Sequence, residues 1–200
     1  MPIFRIGQKN ILFLHIPKAG GTSIETWLST YSSESFRLPR KNSLLPCVPQ
    51  HFHGEILSLL FAPDFFDYSF CVTRNPYDRL LSEYNYRMSH RKRLERIFPT
   101  PDFQTWVRRT FKRYRKDPFI YSNHIRPQSE FMIAGTEHFH LENGLGTLQQ
   151  RLADLTGVAL PDAIPTANRS TKRETSVDPA VVGEISDFYA EDFETFGYER

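Results

Sequence analysis

Short apolar runs and longer amphipathic stretches alternate along this chain. Residues 11–14 are continuously apolar, and a run of that length is typical of a buried strand. After a polar turn come Ile24, Trp27, Leu28 and Tyr31, whose spacing of three and four predicts one face of a helix. Residues 67–73, rich in aromatic and β-branched types, predict a second buried strand.

Further helices are predicted from the same periodicity. A short one places His53, Ile56, Leu57 and Leu60 on one face, with His53 at its start. A longer one opens at Pro76, a residue suited to the first helical turn. Others are expected over residues 102–115, over 146–156, and from Asp178, which is a good N-cap before Pro179. Residues 32–50 and 164–175 are polar and predict loops.

This order predicts an α/β fold. We expect a P-loop-like parallel β-sheet flanked by helices on both faces, forming a single domain over residues 1–200. In such folds, ligands bind outside the carboxyl ends of the strands.

The turn after the first strand has the composition of an anion site. Its residues are Lys18, Ala19, Gly20, Gly21, Thr22 and Ser23. Glycines let backbone N–H groups approach an oxyanion, the helix N-terminus adds free donors, and the lysine adds a point charge. A Walker A loop carries its lysine after the last glycine, whereas Lys18 precedes both glycines. The sequence therefore predicts a different way of holding a phosphate-like group.

A second site of the same plan follows the second strand. Arg74 comes just before the helix that begins at Pro76, and Ser82 lies on that helix. Arginine suits bidentate binding of a phosphate. Two separated anion sites indicate a ligand that is anionic at both ends, such as a nucleotide with groups on its 5′ and 3′ positions.

Composition limits the remaining possibilities. The net charge is only +2, yet residues 87–116 contain eleven Arg or Lys and two acidic residues. That stretch is interpreted as a solvated helix face, a surface for an anionic acceptor, or, least favoured, a nucleic-acid surface.

The two cysteines, Cys47 and Cys71, have no metal-ligand spacing and imply no disulfide framework, and Cys71 is expected to be a buried free thiol. No apolar run is long enough to cross a membrane. We therefore expect a cytoplasmic protein if the chain is complete, and a Golgi lumenal one if it is a fragment of an anchored protein.

The two motifs together carry a family resemblance. K-A-G-G-T-S at residues 18–23, followed by R-N-P-Y-D-R-L-L-S-E-Y at 74–84, resembles the paired motifs of sulfotransferases that use 3′-phosphoadenosine 5′-phosphosulfate (PAPS). The carbohydrate branch, related to heparan sulfate 2-O- and chondroitin 4-O-sulfotransferases, is the most similar. H-I-R-P-Q at 124–128 and the C-terminal residues 189–198 extend the resemblance over nearly the whole chain.

The resemblance implies roles for the motif residues. Lys18 and residues 19–23 would bind the 5′-phosphosulfate, and Lys18 would also offset the charge that develops on the leaving phosphate. Arg74 and Ser82 would hold the 3′-phosphate. The late loop with Asn168, Ser170 and Lys172 would close over the donor, and Arg126 and Gln128 would contact the substrate. His124 would also contact the substrate, or else the donor, or it would only stabilise its own loop.

The reaction that the resemblance implies is in-line sulfuryl transfer to a hydroxyl of a saccharide, which could itself be anionic. It yields 3′-phosphoadenosine 5′-phosphate (PAP) and needs no metal. A general base must take the acceptor proton. His51 and His53 are the candidates, with a small preference for His53 because it begins the inward face of its helix, and Glu55 is a weaker alternative.

Two other functions compete with this one. A nucleotide-dependent kinase is disfavoured by the loop order and would require Mg²⁺. A non-catalytic protein that binds nucleotides or polyanions would show binding without turnover. The oligomeric state is not indicated.

Overall fold

A five-stranded mixed sheet organises the fold. The computed structural model of the chain describes residues 1–37, 44–62, 64–91, 99–160, 164 and 178–200. The strands lie in the order β3-β1-β2-β4-β5, with β2, β4 and β5 parallel and β1 antiparallel to both of its neighbours. They are β1 (Ile3–Ile6), β2 (Lys9–Leu14), β3 (Ser33–Ser35), β4 (Tyr68–Thr73) and β5 (Glu137–His140).

Helices connect and cover these strands. Asp102 and Asp178 cap the N-termini of α4 and α6 with their side chains, because each carboxylate accepts a hydrogen bond from a first-turn N–H. The α-helices are α1 (Gly21–Leu28), α2 (Gly54–Leu60), α3 (Pro76–Ser89), α4 (Phe103–Tyr114), α5 (Gly146–Thr156), α6 (Pro179–Phe188) and α7 (Ala190–Phe196).

The side chains of β2 point alternately to the two faces of the sheet and so contribute to two separate hydrophobic clusters. Ile11 and Phe13 point to one face of the sheet and belong to a buried cluster with residues of α1 and α5. Leu12 and Leu14 point to the other face and pack in a cluster with Leu57 of α2. A third cluster joins α3, α4, α6 and α7, where Phe111 and Phe188 stack with ring centroids 3.9 Å apart.

The α/β fold with helices on both faces is confirmed, but the sheet is mixed rather than parallel. The expected strands at 11–14 and 67–73 are β2 and β4. We did not predict β1, β3 or β5. β3 has only three residues, all polar, and β5 has a single buried residue, Phe139, so neither produces an apolar signal.

The helix predictions also hold, with local differences. α1 ends at Leu28, so Tyr31 lies beyond it although it still packs on the core. Leu60 of α2, expected to face inward, is 52% exposed. The C-terminal region holds two helices, α6 and α7, where one was expected.

Both cysteines are free and buried, as expected for Cys71. Within the described residues, every helix is too short or too polar to span a lipid bilayer.

Candidate active site

The two predicted anion loops meet at one edge of the sheet. β2 and β4 are adjacent and parallel, so their carboxyl ends lie side by side. The loop after β2 leads into α1, and the loop after β4 leads into α3. The α3 start is well defined, because the Asn75 side chain accepts a hydrogen bond from Tyr77 N at 3.0 Å and Pro76 occupies the first turn.

The first loop has an unusual backbone. Lys18 and Gly20 both adopt positive φ, at 69° and 83°. Gly21 has a different constraint, because a Cβ there would lie 2.5 Å from Nε2 of His15. Within the described residues, the N–H groups of Gly20, Gly21 and Thr22 make no hydrogen bond. They form a set of free donors at the N-terminus of α1, so the loop fits an anionic group.

Arg74 and Arg79 tie the second loop to the first. Arg74 donates from Nη1 to the Lys18 carbonyl at 3.4 Å. Arg79, 2% exposed, donates from Nε to the carbonyl of Pro17 at 3.0 Å. Its Nη2 reaches the carbonyls of His124 and Arg126 at 3.1 and 2.9 Å. One buried guanidinium therefore joins the first loop, α3 and the segment that begins at His124.

Gln128 holds the backbone of Arg74. Its side-chain oxygen accepts from Arg74 N at 3.0 Å, and its side-chain nitrogen donates to Arg74 O at 2.8 Å. Asp192 of α7 in turn accepts from the N–H groups of Gln128 and Ser129 at 2.9 and 2.8 Å. The fully buried Gln128 side chain is thus engaged within the protein, and it positions Arg74.

Lys18 lies in a strongly charged neighbourhood. Its Nζ is 4.3 Å from the ring centroid of Tyr86, a cation–π contact. Burial lowers the pKa of Lys18, and the nearby positive charges of Arg74 and Arg87 lower it further, whereas the carboxylate of Glu83 opposes that change.

Three histidines form a row beside Lys18. The ring centroids of His15 and His51 are 5.2 Å apart, and those of His51 and His124 are 4.9 Å apart. His124 also stacks on Tyr86, with centroids 6.3 Å apart, so Tyr86 contacts both Lys18 and the histidine row.

Each histidine of the row uses Nδ1 for an internal contact. Nδ1 of His15 pairs with the buried carboxylate of Glu25, which also accepts two hydrogen bonds from Gln50. Nδ1 of His51 donates to the carbonyl of Ser122 at 3.0 Å. Nδ1 of His124 lies 2.7 Å from Oε2 of Glu83.

Burial lowers the pKa of both His51 and His124. For His51, the charges of the neighbouring His124 and His15 act in the same direction. For His124, the Glu83 carboxylate opposes the effect of burial. Both pKa directions favour neutral imidazoles, which have one nitrogen free of its proton.

A strained turn aligns His51 with His124. Tyr121, Ser122 and Asn123 all have positive φ, at 52°, 60° and 67°. Such conformations cost about 1–3 kcal/mol each and persist only where surrounding contacts hold them. Here Ser122 Oγ accepts from Val48 N at 2.8 Å, and Asn123 Nδ2 donates to His51 O at 2.9 Å.

His53, the preferred base from the sequence, has a different environment. It is buried at the start of α2, with Nε2 3.6 Å from Glu55 and its ring 5.7 Å from the Phe119 centroid. Burial and the charge of Arg126 lower its pKa. Glu55 itself points to solvent, with its side chain 83% exposed. Of the two predicted base candidates, His51 is the one with contacts to the histidine row.

The other predicted site residues are distributed as follows. Thr22 is exposed, and Ser23 and Ser82 are buried. Arg126 is buried, donates to Asn123 at 3.1 Å and pairs with Glu130. Asn168, Ser170 and Lys172 lie outside the described residues.

Sequence reasoning missed Glu83 and Tyr86, and did not see the linking role of Arg79. A signal was available, because Arg79, Glu83 and Arg87 recur every four residues and so share one face of α3, beside its apolar stripe.

Part of the basic stretch, residues 87–116, lies on α4, where Arg108 pairs with Glu184 at 2.8 Å. Among the described residues no group of His, Cys, Asp and Glu could hold a metal ion.

Comparisons with known proteins find a matching family and a similar fold. A family model described as "Sulfotransferase family" matches residues 1–199. A crystal structure of a sulfotransferase from Alicyclobacillus acidocaldarius is similar over 98% of both chains, with a TM-score of 0.52 and 16% sequence identity. That level of identity supports the fold alone. A search among curated proteins finds no significant match.

Proposed function

The chain belongs to the sulfotransferase family, and we propose that it transfers a sulfuryl group from PAPS to a hydroxyl of a carbohydrate acceptor. The family supports sulfuryl transfer as the reaction class. The donor, the acceptor class and the residue roles below are our proposal.

One observation carries the proposal. The Arg74 guanidinium bonds to the carbonyl of Lys18 at 3.4 Å, so the two anion loops adjoin. A ligand that is anionic at two positions of one nucleoside can therefore contact both loops at once. A single phosphate chain would need only the first loop, so the second loop supports a donor with a 3′-phosphate.

The chain's own groups suit the needs of the reaction. When bound, PAPS supplies the sulfuryl group and a phosphate leaving group. The free N–H groups of Gly20, Gly21 and Thr22 would hold the 5′ end, and Lys18 would offset the negative charge that develops there. Arg74, with its backbone held by Gln128, would bind the 3′-phosphate together with Ser82 of α3.

The acceptor hydroxyl needs a general base, and the histidine row beside Lys18 offers candidate groups for it. Of the two candidates proposed from the sequence, His51 is the one that belongs to this row, where His124 and Tyr86 connect it to Lys18. Its Nδ1 is occupied by the carbonyl of Ser122, which leaves Nε2 as the nitrogen that could accept a proton. The contacts of His53 give no comparable connection to Lys18.

Calorimetric titration with PAP, using ADP and AMP as controls, tests the proposal. We expect PAP to bind at least tenfold more tightly than AMP, because AMP lacks the 3′-phosphate. Equal affinities would refute the role given to Arg74 and Ser82, and with it the PAPS donor. A requirement for Mg²⁺ and ATP would favour a kinase, and tight PAP binding without turnover on any hydroxyl acceptor would favour a non-catalytic binding protein.

A further inference from the structure

Glu83 is a buried carboxylate that contacts two site groups at once. Its side chain is 0% exposed, Oε1 accepts from Nε of Arg87 at 2.6 Å, and Oε2 lies 2.7 Å from Nδ1 of His124. Burying a carboxylate is costly unless hydrogen bonds and opposite charges compensate it. Here both oxygens are used, and both partners lie beside Lys18.

We propose that His124 is the general base of the reaction and that Glu83 is the residue that positions it. This inference rests on the sulfuryl transfer proposed above. It assigns the base to a histidine that neither sequence nor resemblance named for that role.

The hydrogen bond to Glu83 selects the tautomer of His124. An ionised carboxylate only accepts, so Nδ1 of His124 carries the proton and Nε2 keeps its lone pair. Glu83 lies on helix α3, and Arg79 on the same helix donates to the carbonyl of His124 at 3.1 Å. Both the ring and the backbone of His124 are thus fixed by one helix.

Charge decides between His124 and His51. A base becomes an imidazolium as it takes the proton, and a nearby negative charge stabilises that cation. Glu83 supplies this charge to His124. His51 contacts a backbone carbonyl and two other histidines, and both of those histidines lower its pKa.

Position supports the same choice. Tyr86 contacts the Lys18 ammonium and stacks with the ring of His124, so both groups lie against one aromatic side chain. In the step, the acceptor oxygen bonds to sulfur while the bond from sulfur to the 5′-phosphate oxygen breaks, leaving its electron pair on the phosphate. Nε2 of His124 takes the hydroxyl proton, and Lys18 lies on the side of the leaving group.

The first test measures the tautomer and needs no acceptor. Long-range ¹⁵N–¹H spectra of the protein with bound PAP report which nitrogen of each histidine is protonated. We expect His124 to be neutral at pH 7.5 with its proton on Nδ1, and Glu83→Gln to lower its pKa because the stabilising charge is lost. A proton on Nε2, or a pKa unchanged by Glu83→Gln, would overturn the proposal.

The charged and titratable groups that face His124 are Glu83, Tyr86 and Arg87 of α3, Lys18 of the first loop, and His51.

The second test measures release of PAP from PAPS with a desulfated uronic-acid polysaccharide as the probe acceptor. We expect His124→Asn to lower kcat by about 100-fold or more and added imidazole to restore part of it. In Glu83→Gln, the acid limb of the kcat/KM profile should move to lower pH, a change that a merely structural role would not produce. His138→Asn, which changes an exposed histidine on β5, is the matched control and should keep wild-type kcat.

Arg87→Met separates the two contacts of Glu83. If it reproduces the pH shift of Glu83→Gln, the carboxylate acts through Arg87 and the proposal is wrong. Loss of turnover in His51→Asn with turnover retained in His124→Asn would return the role of base to His51. Failure of the proposed function is distinguishable, since it appears as PAP affinity that does not depend on the 3′-phosphate, whatever the tautomer of His124.

Discussion

Arg79 donates from Nε to the carbonyl of Pro17 at 3.0 Å, so a charge on α3 supports the loop that carries Lys18. Nη2 of the same side chain donates to the carbonyls of His124 and Arg126, and the whole side chain is buried. The guanidinium is thus enclosed by backbone oxygens of the site rather than directed at a ligand.

Replacing Arg79 with Met should destabilise the fold markedly. Hydrogen bonds from a charged group contribute about 1.5–3 kcal/mol each, and their buried acceptors would lose their partner. We expect the free energy of unfolding in urea to fall by about 3 kcal/mol or more. The control is Arg108→Met, which removes a half-exposed ion pair with Glu184 and should lower the free energy of unfolding far less, because solvent screens the pair. Similar losses in the two variants would contradict the linking role.

Substitutions of Lys18 and of Arg74 should impair different properties, the first kcat and the second PAP affinity. Lys18→Ala removes a charge required mainly in the transition state, so kcat should fall by about 100- to 1,000-fold while PAP affinity changes less. Arg74→Ala removes a ground-state contact, and its backbone remains held by Gln128.

For Arg74→Ala we expect PAP affinity to drop by about 10- to 100-fold, with little change for AMP. Titration calorimetry and steady-state kinetics measure both variants. Equal and small effects would remove the separate roles assigned to the two loops.

Gly21 should not tolerate a side chain. A Cβ there would lie 2.5 Å from Nε2 of His15, whose ring is held by Glu25 and cannot easily move. We expect Gly21→Ala to destabilise the protein by about 1–3 kcal/mol through overpacking. Gly183 of α6 has open space around it, so Gly183→Ala should be stabilising by about 0.4–1 kcal/mol. Thermal unfolding of both variants gives the comparison, and a neutral Gly21→Ala would be inconsistent with the packing of His15.

Acid should destabilise the fold through the histidine row. The pKa values of His51 and His124 are lowered in the folded protein, so the unfolded chain binds more protons just below the ordinary value of 6.5. Through these two histidines, stability should therefore fall as the pH drops through about 6.5 and below.

This fall in stability occurs at a higher pH than the titration of Glu25 and Glu83, because the pKa of each carboxyl is lowered despite its burial. Melting temperatures measured between pH 5 and 8 should show the decline, and His51→Gln should reduce its slope. An unchanged slope in that variant would mean that His51 is not held neutral.

The sequence predicted the elements whose signal is local in the chain and missed those that depend on long-range pairing. β2, β4 and the helices after them were found because their apolar periodicity is local. β3 and β5 were missed because their residues pair through backbone hydrogen bonds with strands far away in the chain, with little apolar burial of their own.

The candidate site divides in the same way. The loop of residues 18–23 and Arg74 could be proposed as anion sites because a cation and a helix start, with two glycines in the first loop, are adjacent in the chain. Tyr86 carries no such local mark, and the four-residue spacing of Glu83 from Arg79 and Arg87 does not show that it contacts His124. Gln128 was assigned to substrate, whereas its side-chain amide pairs with the backbone of Arg74.

By itself the sequence determined the α/β fold class and predicted the two anion loops in their order, since each prediction follows from residues that are close together in the chain. Only the tertiary structure decided that the loops adjoin through Arg74 and Lys18, and that His51 and His124 share a row. Those relationships join residues that are 56 and 73 positions apart in the chain. Such contacts depend on strand order and on a strained turn at residues 121–123, which no local pattern of side chains specifies.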